Sequence, residues 1–174
     1  MTVREARDGY LAENGFTVAA YEEAWTKASF FGLSFAVPNT ARHRWAIMLH
    51  DLHHVATGYG TDLPGEAEVS AWEVRRGLRP LGAYVASIVA LGASFGLVIA
   101  PRRTVRAFRA SGQGARSLFG DEVEYGALLA STVGELRERL GIARDGIYAG
   151  TRRLHPDAPP SRRDRARVST VVPS

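Results

Sequence analysis

The feature that most constrains the fold is a run of twenty residues without a charged side chain, residues 81–100, LGAYVASIVALGASFGLVIA. Length alone would allow this run to be a transmembrane helix. Its glycines and serines reduce the favourable free energy of transfer into lipid. Arginines on both sides give no signal for the orientation of a membrane helix. We therefore expect a helix that is buried or faces lipid along one side, and not a helix that spans a bilayer.

Two glycines within this run, Gly92 and Gly96, are four residues apart and lie on one face of the predicted helix. Such a face lets another backbone, or a flat or chain-like ligand, approach closely. The simpler interpretation is ordinary close packing of two helices. The functional interpretation is an apolar groove for an isoprenoid tail or a polycyclic ring, with Arg79 or Arg102 at its mouth.

The rest of the chain has no internal repeat and no sustained alternation of apolar and polar residues. We therefore predict an all-α, single-domain helical bundle with a metal site between two core helices. The apolar content of 45% is sufficient for one core. Further helices are predicted over about 2–13, about 18–33, from Asn39 or Thr40 through the fifties, from Glu66 to about 77, and over about 121–140.

The net charge of +4 is concentrated at the C-terminal end. Residues 151–174 hold six arginines and two aspartates in a segment rich in proline and serine, so residues 1–150 have balanced charge. We predict a helical metal-binding domain over 1–150 and a basic disordered tail over 151–174. Balanced charge in the domain, without a basic and aromatic surface, argues against nucleic acid as a partner.

The absence of cysteine excludes disulfides and thiolate metal ligands, which leaves imidazole and carboxylate groups as donors. The first residues, MTVREARDGYLAEN, alternate in charge and contain no apolar core of the signal-peptide kind. We therefore expect a cytoplasmic location.

Four side chains of metal-binding type follow one another closely: His50, Asp51, His54 and, after eleven more residues, Glu66. On a helix the first three project at about 0°, 100° and 40°, so they share one face. Three glycines and a proline interrupt that helix between residues 58 and 65, and a returning loop would place Glu66 opposite the histidines. We predict that all four residues bind one metal ion and are catalytic through it.

The run from His50 to Glu73, HDLHHVATGYGTDLPGEAEVSAWE, resembles the signature of the ubiquinone (coenzyme Q) biosynthesis protein four family. That signature is H-D-x-x-H, three residues, Gly, six residues and Gly-Glu, and the residues on it here are His50, Asp51, His54, Gly58, Gly65 and Glu66. The resemblance implies an isoprenoid-tailed substrate and peripheral membrane association. It also implies a reaction in which the C1 carboxyl of a polyprenylated 4-hydroxybenzoate-type precursor is replaced by hydroxyl.

Imidazole and carboxylate donors favour zinc or iron over magnesium or calcium, which prefer oxygen ligands throughout. The leading hypothesis is a metal-dependent lyase or oxidative decarboxylase of quinone biosynthesis. The alternatives are a non-catalytic lipid-binding scaffold, or a secondary-metabolism enzyme acting on another aromatic or polyketide ring. The expected partners are a hydrophobic aromatic or isoprenoid-tailed small molecule, a membrane surface and other biosynthetic enzymes, and a homodimer stays open.

Three residues also have an ordinary structural interpretation, and two of them lie in or beside the predicted site. His53 lies at the flank of the metal-binding face and could support the site, but an exposed histidine is the simpler interpretation. Glu66 could be only a first-turn acid that the helix dipole stabilises. Arg137 and its charged neighbours are expected to form a solvated face of the last helix.

Overall fold

A computed structural model describes residues 1–30, 33–112, 116–120, 122 and 124–147. The predicted tail, 151–174, and the domain boundary at 150 lie outside the described residues. The described part contains seven α-helices and one small sheet, which confirms the all-α prediction. The helices are α1 (Val3–Glu13), α2 (Ala41–Thr57), α3 (Leu63–Arg76), α4 (Gly82–Ile99), α5 (Pro101–Ala110), α6 (Tyr125–Ala130) and α7 (Val133–Arg139).

The helices that carry the predicted ligands begin and end at residues suited to helix ends. Thr40 accepts a hydrogen bond from the first turn of α2 through its side chain, and Gly58 ends the helix with a φ of +80°. Asp62 caps α3 by accepting from the backbone N–H of Gly65. Helix α3 therefore begins three residues before Glu66, which lies in its first turn.

The prediction of a helix over residues 18–33 is wrong. The structure has a short 3₁₀ helix, Val18–Glu22, followed by an antiparallel pair of strands, β1 (Trp25–Phe30) and β2 (Leu33–Pro38). Trp25 lies opposite Pro38 and Phe30 lies opposite Leu33. Aromatic and β-branched residues are frequent in both segments and favour an extended backbone.

The predicted single helix over 121–140 is also wrong, because the chain breaks between α6 and α7. Thr132 and Glu135 form a capping box, in which each side chain accepts from the other residue's backbone N–H. The backbone N–H of Val3 donates to the Ser131 carbonyl at 2.8 Å. The start of α1 therefore occupies the break.

Helix α4 packs closely on α3 through its two glycines. A Cβ atom on Gly92 would lie 2.7 Å from Oγ of Ser70, and one on Gly96 would lie 2.5 Å from Cβ of Ala67. The simpler interpretation of these glycines, close helix packing, is therefore confirmed. Helix α3 occupies the face of α4 that would have formed the apolar groove for a ligand.

The opposite face of α4 is exposed. Arg79–Ile99 is the one candidate membrane span within the described residues, with a mean hydropathy of 2.0 and 17% of its most apolar window buried. Leu91 and Val98 are 68% and 77% exposed.

Residues near the end of the described chain hold the C-terminal end of α2. Nε of Arg137 donates to the Ala56 carbonyl at 2.9 Å, and the Ile147 N–H donates to the Thr57 carbonyl at 2.7 Å. These donors satisfy carbonyls that a helix end leaves unpaired, and the arginine opposes the helix dipole. Arg137 is buried, so the prediction that it lies on a solvated face is wrong.

Candidate metal centre

Three predicted ligands come together where α3 begins beside α2. His50 and His54 lie one turn apart on α2, and Glu66 faces them from the first turn of α3. The turn between the helices is tight, since a Cβ atom on Gly65 would lie 2.1 Å from the Gly60 carbonyl oxygen. The glycine before Glu66 is therefore required for the carboxylate to reach the histidines.

The ligand atoms of the three residues converge. Nε2 of His50 lies 3.1 Å from Nε2 of His54 and 3.2 Å from Oε2 of Glu66. The distance from Nε2 of His54 to Oε1 of Glu66 is 3.4 Å. A tetrahedral ion with bonds of about 2.0–2.1 Å needs ligand atoms roughly 3.3 Å apart. The group His50, His54 and Glu66 could therefore hold a metal ion.

Each histidine offers Nε2 because its other nitrogen is engaged elsewhere. Nδ1 of His54 donates to the Tyr59 carbonyl at 3.1 Å, and Nδ1 of His50 donates to Oε1 of Glu73 at 2.9 Å. The ring of Tyr10 also stacks on the ring of His54, with centroids 5.3 Å apart. These contacts fix the ring orientation that a metal ligand needs.

The centre is open on one side. The side chain of His54 is fully buried, that of His50 is 21% exposed and that of Glu66 is 42% exposed. Three protein ligands beside an accessible position are typical of catalytic zinc sites, whereas structural sites have four protein ligands.

The structure does not bring the fourth predicted ligand, Asp51, into this group. The Asp51 side chain is buried and accepts a hydrogen bond from the Tyr21 hydroxyl. Burial raises the pKa of Asp51, against the lowering effects of Tyr21, His50 and His54. Asp51 lies outside the ligand group because successive residues of a helix are rotated by about 100°, which turns the Asp51 side chain away from His50 and toward Tyr21 in the N-terminal segment.

The histidines and carboxylates of the centre shift one another's pKa values. Burial opposes a proton on His50, but the carboxylates of Glu73 and Glu66 hold its pKa well above the usual 6.5. Removal from water would raise the pKa of Glu66, but His54 and His50 hold it below its usual range. A metal ion bound here would take the place of the proton on Nε2 of His50.

The expectation that His53 is exposed is wrong, because its side chain is fully buried. Its Nδ1 lies 2.6 Å from Oε1 of Glu73, and the Leu118 N–H donates to its Nε2 at 3.2 Å. Sequence reasoning also assigned no role to Glu73. The available signal was its spacing of seven residues from Glu66, which places both carboxylates on one face of α3.

No model of a protein family, no curated protein and no solved structure matches this chain. The fold and the site together define an all-α protein with a candidate metal centre of two histidines and one glutamate.

Proposed function

We propose that this protein binds a divalent ion, zinc or iron, through His50, His54 and Glu66, and acts as an enzyme of quinone or quinone-like aromatic biosynthesis. The observation that carries the metal site is that Nε2 of His50, Nε2 of His54 and the two carboxylate oxygens of Glu66 meet at 3.1–3.4 Å, with Nδ1 of each histidine held by an acceptor. The resemblance of the segment from His50 to Glu73 to the ubiquinone biosynthesis protein four family supports the choice of substrate class.

The proposed reaction removes the C1 carboxyl of a polyprenylated 4-hydroxybenzoate-type ring as carbon dioxide. One atom of dioxygen becomes the ring hydroxyl and the other leaves as water, with two electrons and two protons from an external donor. A bound ion supplies Lewis acidity toward the ring carboxylate or phenolate, and iron would also supply redox chemistry, which zinc lacks.

The residues around the centre orient and shield it. Tyr10 and the Tyr59 carbonyl hold the ring of His54, so its Nε2 faces the open side. Glu66, the most exposed of the three, lies where a substrate would enter. Asp51, the residue after His50, accepts a buried hydrogen bond from the Tyr21 hydroxyl, which ties α2 to the N-terminal segment at the centre.

We infer that the exposed face of α4 lies on an anionic membrane surface, from which an isoprenoid-tailed substrate would arrive. Leu91 and Val98 supply the apolar contact. One face of the neighbouring helix α5 supplies positive charge, through arginines that form no hydrogen bond or ion pair with other described residues: Arg102, Arg106 and Arg109. Basic side chains beside an apolar face are typical of attachment to anionic lipid.

The same exposed face favours the second candidate function, a non-catalytic lipid-binding scaffold of a biosynthetic complex. A scaffold would keep lipid bound after loss of the metal site and would show no turnover. An enzyme acting on a ring without a tail would not need the α4 face. Turnover of aromatic acids with and without a prenyl chain, by wild type and His54→Ala, separates the three functions.

The first experiment is elemental analysis of protein purified without added metal or chelator. Wild type is compared with His54→Ala, with Glu66→Ala and with Glu138→Ala, a control that removes an exposed glutamate of α7. We expect near-stoichiometric metal in wild type and control and none in the two site variants. Iron would support the oxygen-dependent reaction, and zinc would support Lewis-acid chemistry. No metal in wild type, or unchanged metal in Glu66→Ala, would refute the site.

Membrane attachment is measured by co-sedimentation with vesicles of phosphatidylcholine alone or mixed with phosphatidylglycerol. We expect wild type to bind the anionic vesicles and Leu91→Gln/Val98→Gln to bind them more weakly. Equal recovery of both proteins with both kinds of vesicle would contradict the attachment.

A further inference from the structure

A fully buried carboxylate lies behind the metal centre. Glu73 is on α3, seven residues after Glu66, and its side chain is 0% exposed. Its Oε1 atom is 2.9 Å from Nδ1 of His50 and 2.6 Å from Nδ1 of His53. One oxygen of Glu73 therefore meets two imidazole rings of α2, and one of those rings belongs to a metal ligand.

The backbone determines which nitrogen of His53 carries the proton. The N–H of Leu118 can only donate, and it points at Nε2 of His53 from 3.2 Å. Nε2 must therefore hold a lone pair, and the proton lies on Nδ1, which donates to Glu73. Burial lowers the pKa of His53 despite the nearby carboxylate, in agreement with a neutral ring.

This arrangement supports an ionised Glu73. Two imidazole N–H groups donate to Oε1 of Glu73, and hydrogen bonds from two donors favour the ionised carboxylate. An ionised carboxylate accepts a hydrogen bond from Nδ1–H of His50, so the Nε2 lone pair points toward His54 and Glu66 once Nε2 has lost its proton. Glu73 contacts His50 at the nitrogen that does not face the centre, and its oxygens are not part of the ligand group.

The two ligand histidines are supported differently. Nδ1 of His54 donates to a neutral carbonyl, that of Tyr59, whereas Nδ1 of His50 donates to a carboxylate. A charged acceptor increases the basicity of the imidazole more than a neutral one does, because it stabilises positive charge on the ring. His50 is therefore the stronger donor of the pair.

We propose that Glu73 and His53 are positioning residues, which fix the tautomer and ring orientation of His50 for metal binding and are themselves anchored by the Leu118 N–H. The proposal rests on the metal site proposed above and adds to it the residues that determine its affinity. Oε2 of Glu73 has no hydrogen-bond partner among the described residues.

The test is titration of metal-free protein with zinc and with cobalt(II), comparing wild type with Glu73→Gln. Outer-shell partners of metal-bound histidines typically contribute about 10–100-fold in affinity. We expect a loss of that size for Glu73→Gln, together with a shifted visible spectrum of the cobalt form, which reports ligand geometry. The helical content by circular dichroism should be unchanged.

The matched control is Glu68→Gln, which neutralises another fully buried carboxylate on the same helix, one that pairs with Arg103 and not with a histidine. It should bind zinc and cobalt(II) as wild type does, even if it unfolds more easily. Equal affinity of Glu73→Gln and wild type would overturn the proposal, and so would equal losses in both variants. A wild-type protein that binds neither metal refutes the metal site itself, before any variant is considered.

A second measurement needs no variant. Long-range proton–nitrogen correlation spectra of the zinc form should show His50 and His53 both protonated at Nδ1. A proton on Nε2 of His53 would overturn the proposed anchoring by Leu118.

Discussion

Two regions of the molecule reverse the usual distribution of polarity. They are the interface between α2 and α3, and the exposed face of α4. The first region is buried yet contains His53, His54 and Glu73, all 0% exposed. The second belongs to the apolar α4 segment, yet Leu91 and Val98 are 68% and 77% exposed. Buried polar groups are costly unless paired, and exposed apolar faces are costly unless covered. The buried polar groups meet this condition through their mutual hydrogen bonds, whereas the described residues leave the exposed face of α4 uncovered.

The largest expected effect is at another buried polar contact of α3, the pair of Glu68 and Arg103, which joins α3 to α5. Glu68→Ala leaves the guanidinium without its main carboxylate partner, and we expect a loss of about 3 kcal/mol in the free energy of unfolding. Urea denaturation measures this. The double variant Glu68→Ala/Arg103→Ala should lose less than the sum of the two single variants. An additive double variant would show that the pair is not coupled.

A smaller effect is expected where the two regions meet, at Gly96. A Cβ atom there would contact Ala67 and Thr104 at 2.5 and 2.6 Å, so Gly96→Ala should cost about 1–3 kcal/mol in overpacking. Thermal unfolding measures it. The control is Gly9→Ala in α1, where a Cβ atom meets nothing within 4 Å and helix propensity should stabilise the protein. Stabilisation of Gly96→Ala would contradict the close packing of α3 and α4.

A smaller effect still is expected on vesicle binding when one positive charge is removed from α5, beside the exposed face of α4. Arg106→Gln should weaken binding to anionic vesicles by about 1 kcal/mol, since each basic side chain near the surface contributes that amount. Co-sedimentation over a series of salt concentrations measures it. Arg4→Gln, a change at an exposed arginine of α1, is the control. If both variants bind equally, α5 does not face the lipid.

The smallest expected effect tests whether the exposed face of α4 contributes to folding as well as to membrane attachment. Leu91→Gln/Val98→Gln should change the free energy of unfolding by no more than about 0.5 kcal/mol in the absence of lipid, since both side chains are mostly exposed. Urea denaturation without vesicles measures this. A large loss of stability would show that the outer face is part of the core.

The candidate ligands were the most predictable part of the molecule. His50, His54 and Glu66 could be predicted to converge, because helical periodicity places the histidines on one face and the intervening glycines require the chain to turn back. The cap at Thr40 and the helical nature of residues 82–99 followed from equally local signals. Such features depend on a few neighbouring residues and not on the tertiary structure.

Other features depended on distant contacts. Residues 25–30 and 33–38 pair as strands because two extended segments face each other, and neither segment alone excludes a helix. The break before α7 carried a readable signal, the capping box of Thr132 and Glu135, although it lay within an apparently continuous helical stripe. The burial of His53 and Arg137 had no local signal, because their partners, Leu118 and Ala56, are far away in sequence.

Two residues that hold α2 in place, Leu118 and Arg137, lie far from the candidate ligands in sequence, and this affects the order in which the site is assembled during synthesis of the chain. The Leu118 N–H comes 65 residues after His53, and Arg137 comes 81 residues after the Ala56 carbonyl that it holds. A growing polypeptide that has left the ribosome only as far as α3 therefore contains every ligand but neither support. Because the N-terminal part of a chain emerges first during synthesis, the candidate ligands are exposed to solvent before the residues that hold α2 from the far end of the sequence are made.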